Sequence, residues 1–355
     1  MKIALITDTH WGVRNDSIAF LDNSKRFLDN VFFPYLEEHD IKTVVHLGDM
    51  VDRRKYININ TASRLRQDFL EPMAARNLDV HFIIGNHDTY YKNTNLVNSM
   101  EELIVGQFPT FKTYNNVATE VDFDGTPIMF IPWICDANRE QTINAINNTK
   151  AEVAMGHLEI QGFEMYKGSI VSHGESKNFF SRFDMVMSGH YHHRSTDGHI
   201  FYLGSHAEFT WSDYDDPRGV NIFDTETRQL TFVENPYRMF KKIWYNDADE
   251  EFLNTKINYR DYANSIIKVI VTNKTNHYWF DKFIENLENV NPIEISIVED
   301  HLNLDLEDDA EIINEAESTL DIFKKYIDGY ELKNINKTKL TEKIVELYNE
   351  AMTLG

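Results

Sequence analysis

The feature that most constrains the fold is a series of short apolar runs, each ending in a cluster of Gly, Asp, Asn or His. Two segments of helical periodicity, 17–38 and 61–75, separate the first three runs. Strands buried on both faces show such continuous apolar sequence, and strands that alternate with helices form layered α/β domains. The runs are 2–7, 43–47, 80–84, 127–131, 152–155 and 185–187.

Composition limits the class of protein. The 355 residues are 42% hydrophobic, which suffices for a sizeable core in one large domain or two to three smaller ones. The single cysteine, Cys135, excludes a disulfide framework and a thiolate zinc cluster. No apolar run reaches the ~20 residues of a membrane span, and the first run is too short for the ~7–15-residue core of a signal peptide. We therefore expect a cytoplasmic protein without membrane contact.

Charge limits how the chain could bind nucleic acid. Lys and Arg number 35 against 57 Asp and Glu, a formal net charge of −22. A protein that binds DNA through non-specific phosphate contacts normally carries a basic field. Contact with nucleic acid would therefore require a local patch, a metal site or a partner.

Five polar clusters follow apolar runs and carry metal-binding residue types. Ligands gather at the carboxyl ends of strands in α/β sheets. Residues two apart on an extended strand end point to the same side, so Asp8 and His10 could share a metal, as could His190 and His192. Carboxylate, imidazole and amide ligands suit Mn²⁺, Fe²⁺, Zn²⁺ or Mg²⁺. The clusters are Asp8-Thr9-His10, Gly48-Asp49-Met50-Val51-Asp52-Arg53, Gly85-Asn86-His87-Asp88, Gly156-His157 and Gly189-His190-Tyr191-His192.

Each cluster alone has a simpler explanation. Asp-x-His and Gly-Asn-His-Asp also form turns at strand ends, and a single histidine such as His157 is often a satisfied core residue. Five clusters in order, each after an apolar run, favour a shared metal centre.

The order D-x-H, G-D-x-x-D-R, G-N-H-D, G-H and G-H-x-H resembles the calcineurin-like metallophosphoesterase superfamily. Further motifs resemble the SbcD-type DNA-repair nucleases, and among them the recombination endonuclease subunits of T-even-like bacteriophages, which would place the protein in a host cytoplasm. The further motifs are Gly156-His157-Leu158-Glu159, Ser172-His173-Gly174 and Asp216-Pro217-Arg218-Gly219, the last followed by Phe223-Asp224-Thr225-Glu226.

The resemblance implies a fold of the α/β (layered α+β) class, a two-sheet sandwich flanked by helices that holds two divalent ions, Mn²⁺ or Mg²⁺, at one edge. His87 is the histidine that binds neither ion, and Asp88 orients it. The implied ligands are Asp8, His10 and His192 for the first ion, Asn86, His157 and His190 for the second, and Asp49 bridging both.

The chemistry expected of such a site is phosphodiester hydrolysis. Two metal ions neutralise the diester and lower the pKa of a water that attacks in line. His87 would donate a proton to the leaving sugar oxygen, or stabilise it. No Ser/His/Asp or Cys/His arrangement is evident, so no covalent enzyme intermediate is expected.

Basic residues beside these motifs are candidate DNA contacts. They could bind phosphates, while Tyr90 and Tyr91 could stack on an unpaired base. The alternative is that Arg53 pairs with Asp52 and that the tyrosines pack within the protein. The candidate contacts are Arg14, Arg53, Arg54, Lys55 and Lys92.

Three regions are predicted: a nuclease domain over 1–240, a βαβ capping domain over 241–298, and an acidic linker with two amphipathic helices over 299–355. In the family, such terminal helices bind the coiled-coil base of an SMC-like, SbcC-type ATPase, and the subunit acts as a homodimer in that complex. The alternative is a solvated linker and a helical hairpin that covers the core.

Three functions follow from these patterns. The first is a Mn²⁺-dependent DNA exonuclease and endonuclease subunit of an SbcCD-like recombination and double-strand-break repair complex. The second is an enzyme of the same fold that hydrolyses small phosphomonoesters or cyclic nucleotides. Such an enzyme has no need of the βαβ unit or the terminal helices. The third is a catalytically silent scaffold for the ATPase, against which the complete ligand set argues.

Overall fold

The computed structural model describes residues 1–299 together with Lys337, Leu340 and Lys343. Strands form at each of the predicted apolar runs, and further strands complete the sheets of this part of the chain. The strands are β1 Lys2–Ile6, β2 Thr43–His46, β3 Asp79–Ile83, β4 Phe111–Tyr114, β5 Thr119–Phe123, β6 Thr126–Ile131, β7 Val153–His157, β8 Glu164–Tyr166, β9 Ser169–Ile170, β10 Met185–Gly189, β11 Ser195–Thr196, β12 Ile200–Tyr202, β13 Gly219–Asp224, β14 Leu230–Glu234, β15 Phe240–Asn246, β16 Ile266–Asn273 and β17 Glu294–Glu299.

Helices form where the sequence shows helical periodicity, but they are divided. Between β1 and β2, the π-helical turn Leu28–Phe32 joins two α-helices, and Arg66–Leu70 does the same between β2 and β3. Pro34 and Pro72 follow these π-helical turns within backbone that stays helical, where a proline removes one backbone hydrogen bond. The α-helices are Ile18–Phe27, Phe33–Glu38, Ile59–Leu65, Glu71–Ala75, Ser99–Leu103, Arg139–Asn148, Glu250–Asn254 and His277–Glu288.

Within residues 1–299, two six-stranded sheets face each other. The first has the order β14-β13-β1-β2-β3-β4, in which β1 to β4 are parallel and β13 is antiparallel to β1. The second has the order β11-β12-β10-β7-β6-β5, in which β6, β7, β10 and β12 are parallel. The carboxyl ends of the central strands of each sheet therefore lie at one edge.

The inner faces of the two sheets form one apolar cluster, and the helices cover the outer faces. Ile3 and Val45 of the first sheet share this cluster with Phe130, Met155 and Met187 of the second, and all five are fully buried. The expected two-sheet α/β sandwich flanked by helices is confirmed.

A separate three-stranded sheet follows the sandwich. β16, the helix His277–Glu288 and β17 form the predicted strand–helix–strand unit, and β15 adds a third parallel strand that the sequence pattern missed. Phe280, Phe283 and Leu287 of the helix pack against the sheet.

Glu299, assigned by composition to the acidic segment, is the last residue of β17 and pairs with Val271. The rest of that segment and the two predicted terminal helices lie outside the described residues. None of the described helices is both long enough and apolar enough to cross a lipid bilayer.

Candidate metal centre

The five predicted clusters meet at the edge where β1, β2, β3, β7 and β10 end. Parallel pairing aligns the ends of β1 to β3 in one sheet and of β7 with β10 in the other. Within the described part of the chain, three groups of side chains place one ligand atom per residue within 4.8 Å of the others. The groups are Asp8, His10 and His192; Asp49, His157 and His190; and His10, Asp52 and His87.

The backbone is left-handed at several of these side chains. The φ angles are 50° at Asp8, 41° at His10, 54° at Asp49 and 87° at His190. Residues other than glycine rarely adopt this conformation, which costs of the order of 1–3 kcal/mol each and is maintained only where the surroundings impose it. Four of the fourteen non-glycine residues with positive φ in the described chain thus belong to the clusters whose side chains converge.

Two glycines make this convergence sterically feasible. A Cβ atom on Gly48 would lie 2.4 Å from His157 Nδ1, and one on Gly85 would lie 2.2 Å from Asp49 Oδ1. Real Cβ atoms do not approach this closely, so any other residue at either position would displace a candidate ligand.

In the first group, two imidazole nitrogens face each other beside carboxylates. His10 Nε2 lies 3.0 Å from His192 Nε2, 3.9 Å from Asp8 Oδ1 and 3.8 Å from Asp49 Oδ2. Burial opposes a positive charge on His10, but the carboxylates of Asp52 and Asp49 outweigh it and raise the pKa of His10. The carboxylates thus make this a site that favours positive charge.

In the second group, three hydrogen-bond acceptors converge. His157 Nδ1 donates to the carbonyl oxygen of Leu47 at 2.7 Å, so in the neutral ring Nε2 carries the lone pair. That Nε2 lies 3.0 Å from Asn86 Oδ1 and 3.2 Å from Asp49 Oδ2. Acceptors this close together repel one another, and a proton or a metal cation bound between them removes this repulsion.

The electrostatics of the second group support the same interpretation. Burial opposes charge on His157, yet Asp49 outweighs it and raises the pKa of His157 to about 9. Burial likewise opposes ionisation of Asp49, but His157 and His87 hold the pKa of Asp49 well below its usual range. His190 Nε2 is buried and has no hydrogen-bond partner among the described residues. The donor set therefore fits a divalent cation.

Asp49 lies between the two groups. Its Oδ2 is the oxygen that faces both His10 and His157, while its Oδ1 accepts a hydrogen bond of 2.7 Å from the backbone N–H of His87. This placement suits a carboxylate shared by two cations.

Asp88 was expected to orient His87, and its hydrogen bonds show that it would do so through the backbone of the loop rather than through the ring. The ring nitrogen Nδ1 of His87 lies 2.5 Å from the backbone carbonyl oxygen of Asp52. The carboxylate of Asp88 instead accepts hydrogen bonds from the backbone N–H groups of Asp49, Met50, Val51 and Gly85, at 2.8 to 3.2 Å. A buried carboxylate satisfies the nearest unpaired donors, and here these are the amides of the neighbouring loop.

Comparison with known proteins decides the family. The profile described as calcineurin-like phosphoesterase matches residues 1–194, a span that includes every candidate ligand. The chain belongs to the calcineurin-like phosphoesterase family. Members of this family use divalent metal ions, which agrees with the groups of acceptors at the sheet edge.

The phosphoesterase is also similar to named nuclease subunits. It is 32% identical over 356 residues to "Exonuclease subunit 1" of Enterobacteria phage T4, covering 99% of each chain. It is 26% identical over 309 residues to the SbcD protein of the SbcCD nuclease of Staphylococcus epidermidis, covering 79% of this chain and 78% of the relative. The SbcD protein of Staphylococcus saprophyticus is 26% identical over 288 residues, covering 72% and 75%.

Sequence reasoning missed a buried ion-pair network behind His192 of the phosphoesterase. The Arg218 guanidinium lies 2.9 Å from Asp213 and 2.7 Å from Asp216, and all three side chains are buried. Arg218 also donates to the backbone carbonyl of His192 and to Ser205 Oγ. The Asp-Pro-Arg-Gly motif includes the arginine, but its contact with the backbone of His192 is seen only in the fold.

A second residue without an assigned role is Glu159, in the Gly-His-x-Glu motif of the phosphoesterase. Its carboxylate lies 3.2 Å from His173 Nε2 and 3.8 Å from His190 Nε2. Glu159 thus lies near the His190 ring, but beyond hydrogen-bond distance of its Nε2.

The predicted DNA-contact residues have different environments. Arg14 donates to the carbonyl oxygen of Phe209 at 2.9 Å. Arg53 pairs with Asp16 at 2.7 Å rather than with Asp52, and it also donates to Asn15. Arg54 is half-buried and Lys55 is exposed, and both line one cavity, while Lys92 is exposed.

Proposed function

We propose that the protein is the nuclease subunit of an SbcCD-like recombination and double-strand-break repair complex in the cytoplasm. It hydrolyses DNA phosphodiesters, both as an exonuclease and as an endonuclease. Two divalent ions, for which we propose Mn²⁺, would activate the attacking water. The observation that carries the proposal is the convergence of acceptors into two adjacent groups that share Asp49 Oδ2.

Two divalent ions at these groups would supply Lewis acidity to the phosphate and a water that ionises near neutral pH. In the proposed arrangement Asp8, His10 and His192 hold one ion, Asn86, His157 and His190 hold the other, and Asp49 contacts both. Neutral imidazoles and ionised carboxylates are the protonation states that metal binding requires.

His87 is proposed to serve the leaving group. Its Nδ1 is engaged with the Asp52 carbonyl, so the proton that it could give or hold near the substrate is on Nε2. Because Nδ1–H donates to that carbonyl, Nε2 carries a proton only in the imidazolium form. Burial lowers the pKa of His87, so this form is a stronger acid toward an alkoxide but a smaller fraction of the protein at neutral pH. Asp88 contributes by fixing the loop that carries Asp49.

DNA is the proposed substrate because the similar proteins are named as nucleases and because cationic side chains flank the acceptor groups. The names of these relatives describe subunits, which supports assembly with a partner. We propose that this partner is an SMC-like ATPase, that residues 300–355 bind it, that the region 241–299 caps the DNA, and that the subunit forms a homodimer in the complex.

The test is cleavage of labelled DNA. Linear duplex and single-stranded DNA are incubated with the full chain and Mn²⁺, with and without the cognate ATPase, beside a chromogenic small diester. Metal-dependent cleavage of DNA supports the proposal. Hydrolysis of the small diester without cleavage of either DNA would point to a small-molecule phosphodiesterase.

A further inference from the structure

A cavity of about 240 Å³ lies beside the candidate metal centre. One wall is the loop after β2, where Arg54, Lys55 and Tyr56 follow the cluster that contains Asp49. The other wall includes Tyr90 and the start of the helix Ser99–Leu103. The cavity is thus built from the same two loops that present Asp49, Asn86 and His87.

The cavity contains a cation that lacks an acceptor. Nη1 of Arg54 is buried and has no hydrogen-bond partner among the described residues. Burial lowers the pKa of Arg54, with only the charge of Asp49 opposing it. Its neighbour Arg53 differs, since Asp16 and Asn15 already satisfy that guanidinium. Arg54 as a whole is half-buried, lines the cavity and forms no ion pair with a carboxylate of the described residues, so its guanidinium is suited to an anionic ligand in the cavity.

The rest of the cavity is largely apolar and aromatic. Tyr56 is 63% exposed and Tyr90 is 40% exposed, although tyrosines are commonly half-buried or more. Val97 and Leu103 add apolar surface, and Glu102 is an exposed carboxylate at the wall. Aromatic faces beside cations are the combination that binds bases and backbone of single-stranded nucleic acid.

We infer that this cavity binds one unpaired nucleobase of the DNA substrate, with Arg54 on a phosphate next to that base. The inference rests on the proposed nuclease function. Pockets for drug-sized molecules measure about 300–1,000 Å³, so 240 Å³ suits a single base rather than a base pair. Glu102 is placed to accept from the exocyclic amino group of a base, as carboxylates do with cytosine.

The cavity is linked to the metal ligands by hydrogen bonds. Ser99, in its wall, donates to Asp88 Oδ1 at 3.2 Å, and Asp88 accepts from the backbone N–H of Asp49 at 2.8 Å. A base in the cavity would therefore fix the strand next to the acceptor groups. A duplex must open at least one base pair to fill the cavity, which favours single strands and frayed ends as substrates.

The test measures binding without catalysis. A single-stranded oligonucleotide that contains 2-aminopurine is titrated with the full-length protein in the presence of a chelator, and quenching reports stacking on tyrosine. Tyr90→Ala should weaken binding roughly 5- to 100-fold and remove the quenching, the range expected for one lost stack. Tyr90→Phe keeps the ring and should retain both. Arg54→Gln should weaken binding and lower the salt dependence by about one phosphate contact.

The control is Val117→Ala, which trims an apolar side chain that is 45% exposed between β4 and β5 and does not line the cavity. Parent-like quenching and affinity in Tyr90→Ala and Arg54→Gln would overturn the inference. Hydrolysis of a small chromogenic diester with Mn²⁺ is measured on the same variants. Failure of the parent protein to hydrolyse that diester contradicts the proposed function instead, so the two failures are distinguishable.

Discussion

His87 Nδ1 and the backbone carbonyl oxygen of Asp52 lie 2.5 Å apart. Because this contact engages Nδ1, the ring presents Nε2 on its other side, near His10, whose ring centroid is 4.9 Å away in an edge-to-face arrangement. The ring is therefore oriented by the backbone of one metal-ligand loop while its own backbone N–H supports Asp49.

We predict that His87→Ala leaves two metal ions bound and removes most of the nuclease activity, because the ring serves the leaving group and ligates nothing. General acid–base catalysis contributes typically ~10²–10⁴-fold. Metal content and single-turnover cleavage are measured on the same sample. A variant that loses an ion would show that His87 is a ligand.

Asp49→Asn should weaken both metal positions, because Oδ2 of this carboxylate faces both groups. His192→Ala should weaken mainly the position of Asp8 and His10. Titration with Mn²⁺ followed by calorimetry resolves the two positions. An Asp49→Asn variant that loses affinity at one position alone would contradict the bridging role.

Arg218→Met should destabilise the protein by about 3–5 kcal/mol, since it leaves the buried carboxylates of Asp213 and Asp216 unpaired. It should also weaken the metal position of His192, whose backbone carbonyl Arg218 holds. Unfolding in urea and Mn²⁺ titration measure the two effects. The matched control, Arg66→Met, breaks an exposed pair with Glu71 and should cost no more than about 1 kcal/mol.

Glu208 should make stability depend on pH. Burial raises the pKa of this carboxyl to about 7 from its ordinary 4.5, although the backbone N–H groups of Met239 and Phe240 donate to it. Between these two pH values the folded protein binds the proton and the unfolded chain does not, so the free energy of unfolding falls as the pH rises.

The side chain of Glu208→Gln cannot titrate. The free energy of unfolding of this variant minus that of the parent should therefore increase by up to about 3 kcal/mol from pH 5 to pH 8. Urea unfolding at several pH values, with a chelator present, measures the difference. Glu234→Gln replaces an exposed carboxylate and serves as the control. A constant difference between parent and Glu208→Gln across this range would contradict the raised pKa.

Deletion of residues 300–355 should abolish association with the ATPase and spare metal binding and hydrolysis of small diesters. Every proposed ligand lies at or before His192, and the deletion begins after Glu299 because that residue pairs within β17. A pull-down with the cognate ATPase tests the loss of association, and a chromogenic diester assay tests whether hydrolysis is retained. Retained association would place the docking surface elsewhere in the chain.

The sequence predicted which acceptor side chains meet at the sheet edge, but not the residues that contact and position them. Ligand types at strand ends were readable because a buried strand is a continuous apolar run, and parallel strands end at a common edge. The partner of His87 was not readable, because a backbone carbonyl has no sequence signal. Arg53 pairs with Asp16 only because the chain turns through left-handed residues at Arg14 and Asn15.

Strand β15 was missed for a similar reason, because the strand with which it pairs cannot be identified from the sequence. Lys241 and Lys242 interrupt its apolar pattern, and Trp244 is largely exposed, so the segment resembled a polar connection. The segment is nevertheless a strand because its backbone pairs with β16, and this pairing is seen only in the structure. In the same way, the burial of Arg218 depends on acidic residues of its own loop that composition alone would leave on the surface.

The proposed ligands are divided between the two sheets of the sandwich. Asp8, His10, Asp49 and Asn86 follow strands of the first sheet, and His157, His190 and His192 lie at or just after the ends of strands of the second. Ions held by both sets would clamp the sheets together at one end. Since only the folded chain offers these positions, the free energy of ion binding adds to the free energy of unfolding. The concentration of metal ions in the cell would then determine how long the folded protein persists, as well as how fast it cleaves DNA.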